Sequence, residues 1–151
     1  MEVREGLRLY TKYFQQAFGI SKDLINYGHC WLWAMGAQRL VGGVLCRTQI
    51  EENHAWLLLD GRHYDSDYPG GVKDVQQLEQ VFIGMKFCGE TGYYHWKTPS
   101  AFLQHWKASR FTKDRRRRLN RAVALTRRAF LQEEEAEATL DGSLQMAAGG
   151  H

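Results

Sequence analysis

Three short segments contain the residue types of a thiol nucleophile, its base and an acid that orients the base. Cys30 lies in the segment 28–34, His54 begins the segment 54–59, and Asp65 and Asp67 follow a predicted turn. A cysteine beside a histidine that a carboxylate holds in place is a general arrangement for nucleophilic catalysis. The chemistry depends on whether the neighbouring elements bring these side chains together.

The sequence predicts that Cys30 begins a buried helix. Residues 30–39 are apolar on nearly every side, and Gly42 and Gly43 end the pattern. A thiol in the first turn of a helix lies at the positive end of the helix dipole, among backbone N–H groups without helical partners. Both features favour the thiolate, and the same N–H groups can bind an oxyanion.

Segment lengths predict that His54 returns to the start of this helix. Residues 44–50 read as a strand, 51–53 as a turn and 54–59 as a second strand. A ten-residue helix rises roughly 15 Å and a seven-residue strand covers roughly 23 Å, so the first strand can run back along the helix. We therefore expect Cys30 and His54 within hydrogen-bond reach, with His54 moving the thiol proton to the leaving group.

The dipeptide Asp60-Gly61 predicts a two-residue hairpin turn. That turn places Asp67 directly opposite His54 and Asp65 diagonal to it, with Trp56 on the same face. Either carboxylate could hold the imidazole, and direct opposition favours Asp67. A three-residue loop would reverse the parity and remove both acids from this face.

Two of these segments resemble a known enzyme family. Residues 28–34 read GHCWLWA and residues 54–56 read HAW, and both are similar to motifs of the transglutaminase-like, papain-like cysteine superfamily. The resemblance implies an α+β fold in which N-terminal helices pack on a small antiparallel sheet, followed by C-terminal helices. It also implies Cys30 as nucleophile, His54 as base and Asp67 or Asp65 as the acid.

The function that the resemblance implies is hydrolysis or acyl transfer on a peptide or another amide or ester, without a cofactor. Trp31, Trp56 and His29 would line the substrate cleft. His29 replaces the glutamine of the family motif. The spacing from Cys30 to His54 is much shorter than in the animal enzymes, so we expect their calcium sites to be absent.

Simpler interpretations of the same residues remain open. Cys30 can be a small buried apolar residue, His54 a structural histidine, and Asp65 and Asp67 ordinary turn residues. Cys30, His54 and an aspartate could also bind zinc. The sequence has no C-x-x-C or H-x-x-x-H pattern, so we predict no metal site.

The remaining cysteine and histidine candidates have structural interpretations. Cys46 is expected in the core, and His63 is expected in a structural or substrate-facing position. Three sparse cysteines favour a reducing compartment. We find no signal-peptide core and no apolar run of membrane-spanning length, which predicts a cytoplasmic protein without a membrane partner.

The remaining pattern predicts one catalytic-type domain over residues 1–135 and a disordered tail over 136–151. An apolar stripe indicates a helix over residues 3–18. Residues 74–82 look helical, 85–96 are compatible with one or two short strands, and Thr98-Pro99 begins another helix. A last helix is predicted over residues 114–135.

The last predicted helix is unusually basic. Residues 113–128 contain eight lysines and arginines against one aspartate. A stripe from Leu119 to Phe130 would face the core, leaving Arg117, Arg118, Arg121 and Arg128 outward. This pattern predicts the rival function, a non-catalytic protein of the same fold that binds nucleic acid or an acidic protein.

Overall fold

The protein has an α+β fold in which helices pack on a four-stranded antiparallel sheet. The computed structural model describes residues 1–49, 54–106 and 108–149. The described elements, in chain order, are α1 (Val3–Phe18), α2 (Cys30–Val41), β1 (Val44–Thr48), β2 (Ala55–Leu59), β3 (Arg62–Tyr64), α3 (Glu79–Phe87), β4 (Tyr93–Trp96), α4 (Pro99–Gln104) and α5 (Lys113–Gly149).

The sheet has the strand order β3-β2-β1-β4, with every neighbouring pair antiparallel. Leu57 lies opposite Tyr64 and Leu59 opposite Arg62, which confirms the two-residue turn at Asp60-Gly61. Both turn residues have positive φ, 49° and 76°, as a turn that matches the strand twist requires. The predicted turn at 51–53 lies outside the described residues.

Helix α2 occupies the centre of the molecule, as its apolar composition predicts. Its residues from Cys30 to Ala37 are buried, and it packs against β2, α1 and α5. A Cβ on Gly36 would lie 2.0 Å from the Tyr10 hydroxyl oxygen and 2.8 Å from a methyl carbon of Leu119. The missing side chain at Gly36 therefore lets the three helices approach one another.

The second half differs in detail from the prediction. Residues 74–82 form a 3-10 turn, Val75–Gln77, followed by α3, which runs on to Phe87. Leu78 separates the two because its backbone is extended (φ −74°, ψ 119°). Of the ambiguous residues 85–96, the last four form β4, which pairs with β1.

Helix α5 confirms the predicted apolar stripe but extends beyond the predicted end. Leu119, Ala122, Val123 and Thr126 are buried. The helix runs to Gly149, so residues 136–149 of the expected disordered tail are helical. Residues 136–149 include four alanines and two leucines, which are strong helix formers, and this accounts for the difference. Within the described residues, no helix combines the length and apolar character needed to cross a membrane.

Candidate active site

Cys30 is the first residue of α2, and a sharp turn of the chain directly precedes it. The turn is the irregular segment Ile25–His29, in which Gly28 has a φ of 109° that side chains disfavour. Trp31 then donates from Nε1 to the Gly28 carbonyl oxygen at 3.0 Å. These contacts fix the direction in which the chain enters the helix, and with it the position of the Cys30 thiol.

His54 lies immediately before β2 and is part of the sheet ladder. Its carbonyl oxygen accepts a hydrogen bond from the Thr48 backbone N–H at 3.1 Å. The imidazole stacks on Trp56, with ring centroids 5.7 Å apart, and its Nε2 lies 3.1 Å from Oδ2 of Asp65. The ring is therefore held in place by the backbone hydrogen bond to Thr48, by stacking on Trp56 and by the contact of Nε2 with Asp65.

The surroundings of His54 favour its protonated form. Burial of the ring acts to lower the pKa of His54, but the hydrogen bond to Asp65 and the neighbouring Cys30 outweigh it and raise the pKa to about 9. Asp65 engages Nε2, and among the described residues no side chain or backbone group hydrogen-bonds the other ring nitrogen, Nδ1. The structure therefore pairs His54 with Asp65 and places Cys30 near enough to the imidazole to influence its pKa.

Asp65, rather than the favoured Asp67, contacts the imidazole. Strand β3 ends at Tyr64, so the predicted pair of His54 with Asp67 does not form. The Asp65 Oδ1 accepts from the backbone N–H groups of Asp67 at 3.0 Å and Tyr68 at 3.1 Å. This side-chain turn bends the chain away from the sheet while leaving Oδ2 of Asp65 directed at His54.

Asp67 instead binds the segment that precedes Cys30. Its Oδ2 accepts from Nδ2 of Asn26 at 2.9 Å. Burial and the charge of Asp65 raise the pKa of Asp67, against the lowering effect of the Asn26 hydrogen bond. Asn26 was not among the residues that the sequence singles out, and no local pattern distinguishes it from any other polar residue before a helix.

The predicted cleft residues do not share one open surface. Trp31 and Trp56 are 2% and 0% exposed. Trp31 contacts Phe111 edge to face, whereas Trp56 packs with Cys46 in a second apolar cluster. His29 is half-buried against Phe18.

The three central residues are closed off from solvent. Cys30, His54 and Asp65 are 2%, 0% and 2% exposed. Another molecule can reach the Cys30 sulfur only when neighbouring side chains move.

The other thiols and the second buried histidine occupy different environments. Cys46 is in the core, as predicted, and burial raises its pKa to about 12. Cys88 is exposed. His63 is buried, and its Nδ1 accepts from Nε1 of Trp56 at 3.0 Å. In the part of the chain that the structure describes, no three histidine, cysteine or acidic side chains are grouped as metal ligands.

The outward arginines of α5 border a groove against α1. All four predicted arginines, Arg117, Arg118, Arg121 and Arg128, are exposed. Asp114 bridges to Arg117 at 2.6 Å and to Arg118 at 2.9 Å. The groove has a volume of about 420 Å³ and is lined by Gln16, Ala17, Arg117, Arg118, Arg121 and Leu125.

No protein-family model, curated protein or solved structure matches this chain.

Proposed function

We propose that the protein is a small cysteine hydrolase or acyltransferase of the papain-like, transglutaminase-like class, which acts on an amide or ester through a thioester at Cys30. The observation that carries the proposal is the buried His54–Asp65 pair, 3.1 Å apart, together with Cys30 at the start of α2, which contributes to the raised pKa of His54.

The reaction follows from these positions. The Cys30 thiol gives its proton to His54, and the thiolate attacks the substrate carbonyl carbon. The resulting oxyanion lies near the first backbone N–H groups of α2, which have no helical acceptors. His54 then protonates the leaving amine or alcohol, and the carbonyl re-forms as a thioester. Water or an acceptor amine attacks the thioester, His54 takes its proton, and the thiol is restored.

Asp65 acts on the base rather than on the substrate. Its Oδ2 holds Nε2 of His54, so Nδ1 is the nitrogen that exchanges the proton with Cys30. The carboxylate also stabilises the imidazolium formed when the thiol is deprotonated. The GHCWLWA and HAW segments support the same assignment, since they occupy the helix start and the strand start at which the resemblance expects the nucleophile and base.

Trapping of the thioester tests this function. The protein would be incubated with an activated ester such as p-nitrophenyl acetate, and the acylated cysteine identified by mass spectrometry. We expect the acyl group on Cys30, and a rate lower by about 10²- to 10⁴-fold in His54→Ala because the base is lost. Cys46→Ser and Cys88→Ser are the matched controls and should retain acylation. Equal acylation of Cys30 in wild type and His54→Ala would refute the proposal.

The second candidate function is binding of a polyanion by the arginine groove. The groove between α1 and α5 has three arginines in its wall, and Arg128 lies further along the same helix. Guanidinium groups on a common surface suit phosphates or carboxylates. This function uses different residues from the proposed thioester chemistry.

Salt dependence tests the second candidate. Binding of single-stranded RNA, duplex DNA and a polyglutamate peptide would be measured by fluorescence anisotropy at several salt concentrations. We expect nucleic-acid affinity to fall linearly on a log–log plot and the slope to decrease by about 2 in the Arg117→Ala/Arg121→Ala variant. Arg8→Ala, an exposed arginine of α1 outside the groove, is the control. Equal nucleic-acid binding by the double variant and by the Arg8→Ala control would show that the groove does not bind nucleic acid. Binding of polyglutamate alone would indicate an acidic protein partner.

A further inference from the structure

We propose that Asn26 is a positioning residue that joins the nucleophile segment to the turn carrying Asp65. The inference rests on the proposed function, since it assigns a role within the same site. Asn26 lies in the irregular segment Ile25–His29 that leads into Cys30 and is 7% exposed. Its side chain is therefore a buried amide whose donor and acceptor both need partners.

Both polar atoms of Asn26 bind residues of the Asp65 turn. Nδ2 donates to Oδ2 of Asp67 at 2.9 Å, and Oδ1 accepts from the Ser66 hydroxyl at 3.4 Å. Ser66 is 1% exposed. Asp67 and Ser66 follow Asn26 in the chain by 41 and 40 positions, so both contacts are long-range. The contact to Asp67 is the stronger because its acceptor is a carboxylate.

The residues held by Asn26 directly follow Asp65. The backbone N–H groups of Asp67 and Tyr68 donate to Oδ1 of Asp65, so the position of this turn sets the orientation of the Asp65 carboxylate. Oδ2 of the same carboxylate then fixes Nε2 of His54. Asn26 thus connects the segment before Cys30, through the turn, to the imidazole of His54.

A shape-conserving substitution tests the role of Asn26. Asn26→Asp replaces the donor by a second carboxylate facing Asp67. We expect Cys30 alkylation by iodoacetamide at pH 7.5 to slow by about 10- to 100-fold, the scale of a small misplacement of reacting groups. The ratio of variant to wild-type rate should rise at lower pH, where one of the two facing carboxyls binds a proton and can donate again.

Three further variants and a second readout separate positioning from general stability. Ser66→Ala removes the longer contact and should produce a smaller effect, while Asn120→Ala removes an exposed asparagine that accepts from Arg39 and should produce none. NMR titration of the His54 ring reports on its contact with Asp65 and does not depend on the reactivity of Cys30. We expect Asn26→Ala to lower the His54 midpoint, because its contact with Asp65 is loosened.

The outcomes distinguish this inference from the proposed function. Selective wild-type alkylation that is unchanged in Asn26→Asp, with an unchanged His54 midpoint in Asn26→Ala, would overturn the role of Asn26 alone. An unreactive wild-type thiol would contradict the proposed function, whereas a shifted His54 midpoint in Asn26→Ala would still support the positioning role. If Asn26→Ala fails to fold, the midpoint in Ser66→Ala replaces it, and no shift there would count against the role.

Discussion

The two buried histidines, His54 and His63, differ in the protonation state that their surroundings favour. Asp65 and Cys30 raise the pKa of His54 to about 9 against the effect of its burial. Burial lowers the pKa of His63, with Asp74 opposing it weakly, and its Nδ1 must keep a lone pair to accept from Trp56. At neutral pH we therefore expect a charged His54 and a neutral His63. A charged imidazole is the partner that a thiolate requires.

Asp65→Asn tests the origin of this difference. The amide keeps an oxygen for the turn but removes the charge, so the pKa of His54 should fall by about one to three units. Nitrogen-15 NMR of the two imidazoles across pH 5–10 measures the change. The wild-type His54 should lose its proton near pH 9 and His63 below pH 6.5. A His54 midpoint that is the same in both proteins would show that Asp65 does not set its charge.

At the scale of the elements, the strand register was predictable but the acid was not. The dipeptide Asp60-Gly61 is sufficient to specify the turn. The turn then fixes which residues pair across the two strands, including Leu57 with Tyr64. The end of β3 depends instead on a side-chain turn made by Asp65 itself. Extrapolating the ladder beyond Tyr64 therefore favoured Asp67 incorrectly.

Asn26 shows a different limit of sequence reasoning. Its partners lie at Ser66 and Asp67, far along the chain, and no periodicity links an asparagine before one helix to a turn after a hairpin. By contrast, α1 and α2 are recognisable because each has a local apolar pattern and a glycine at its end. Patterns within one element were sufficient for these two helices, while contacts between elements decide the site.

At the scale of the whole molecule, the features that stabilise the fold also enclose the candidate site. Cys30 belongs to the main apolar cluster, as does Trp31 beside it. Substrate access thus competes with core packing, and the proposed reaction requires a local opening near the start of α2. The arginine groove lies between α1 and α5 and involves none of the three reacting residues, so the two candidate functions can be tested separately.

The pH dependence of Cys30 alkylation decides whether Cys30 and His54 form a thiolate–imidazolium pair. Iodoacetamide labelling of all three cysteines would be followed by mass spectrometry between pH 6 and pH 8. An unassisted thiol slows by about tenfold for each pH unit below its pKa, whereas a thiolate paired with the His54 imidazolium should react at a nearly constant rate across this range. His54→Ala should abolish the constant rate at Cys30, while Cys46, with a pKa of about 12, should stay unlabelled in both proteins. A Cys30 rate that falls as steeply as that of exposed Cys88, in wild type and His54→Ala alike, would contradict the account.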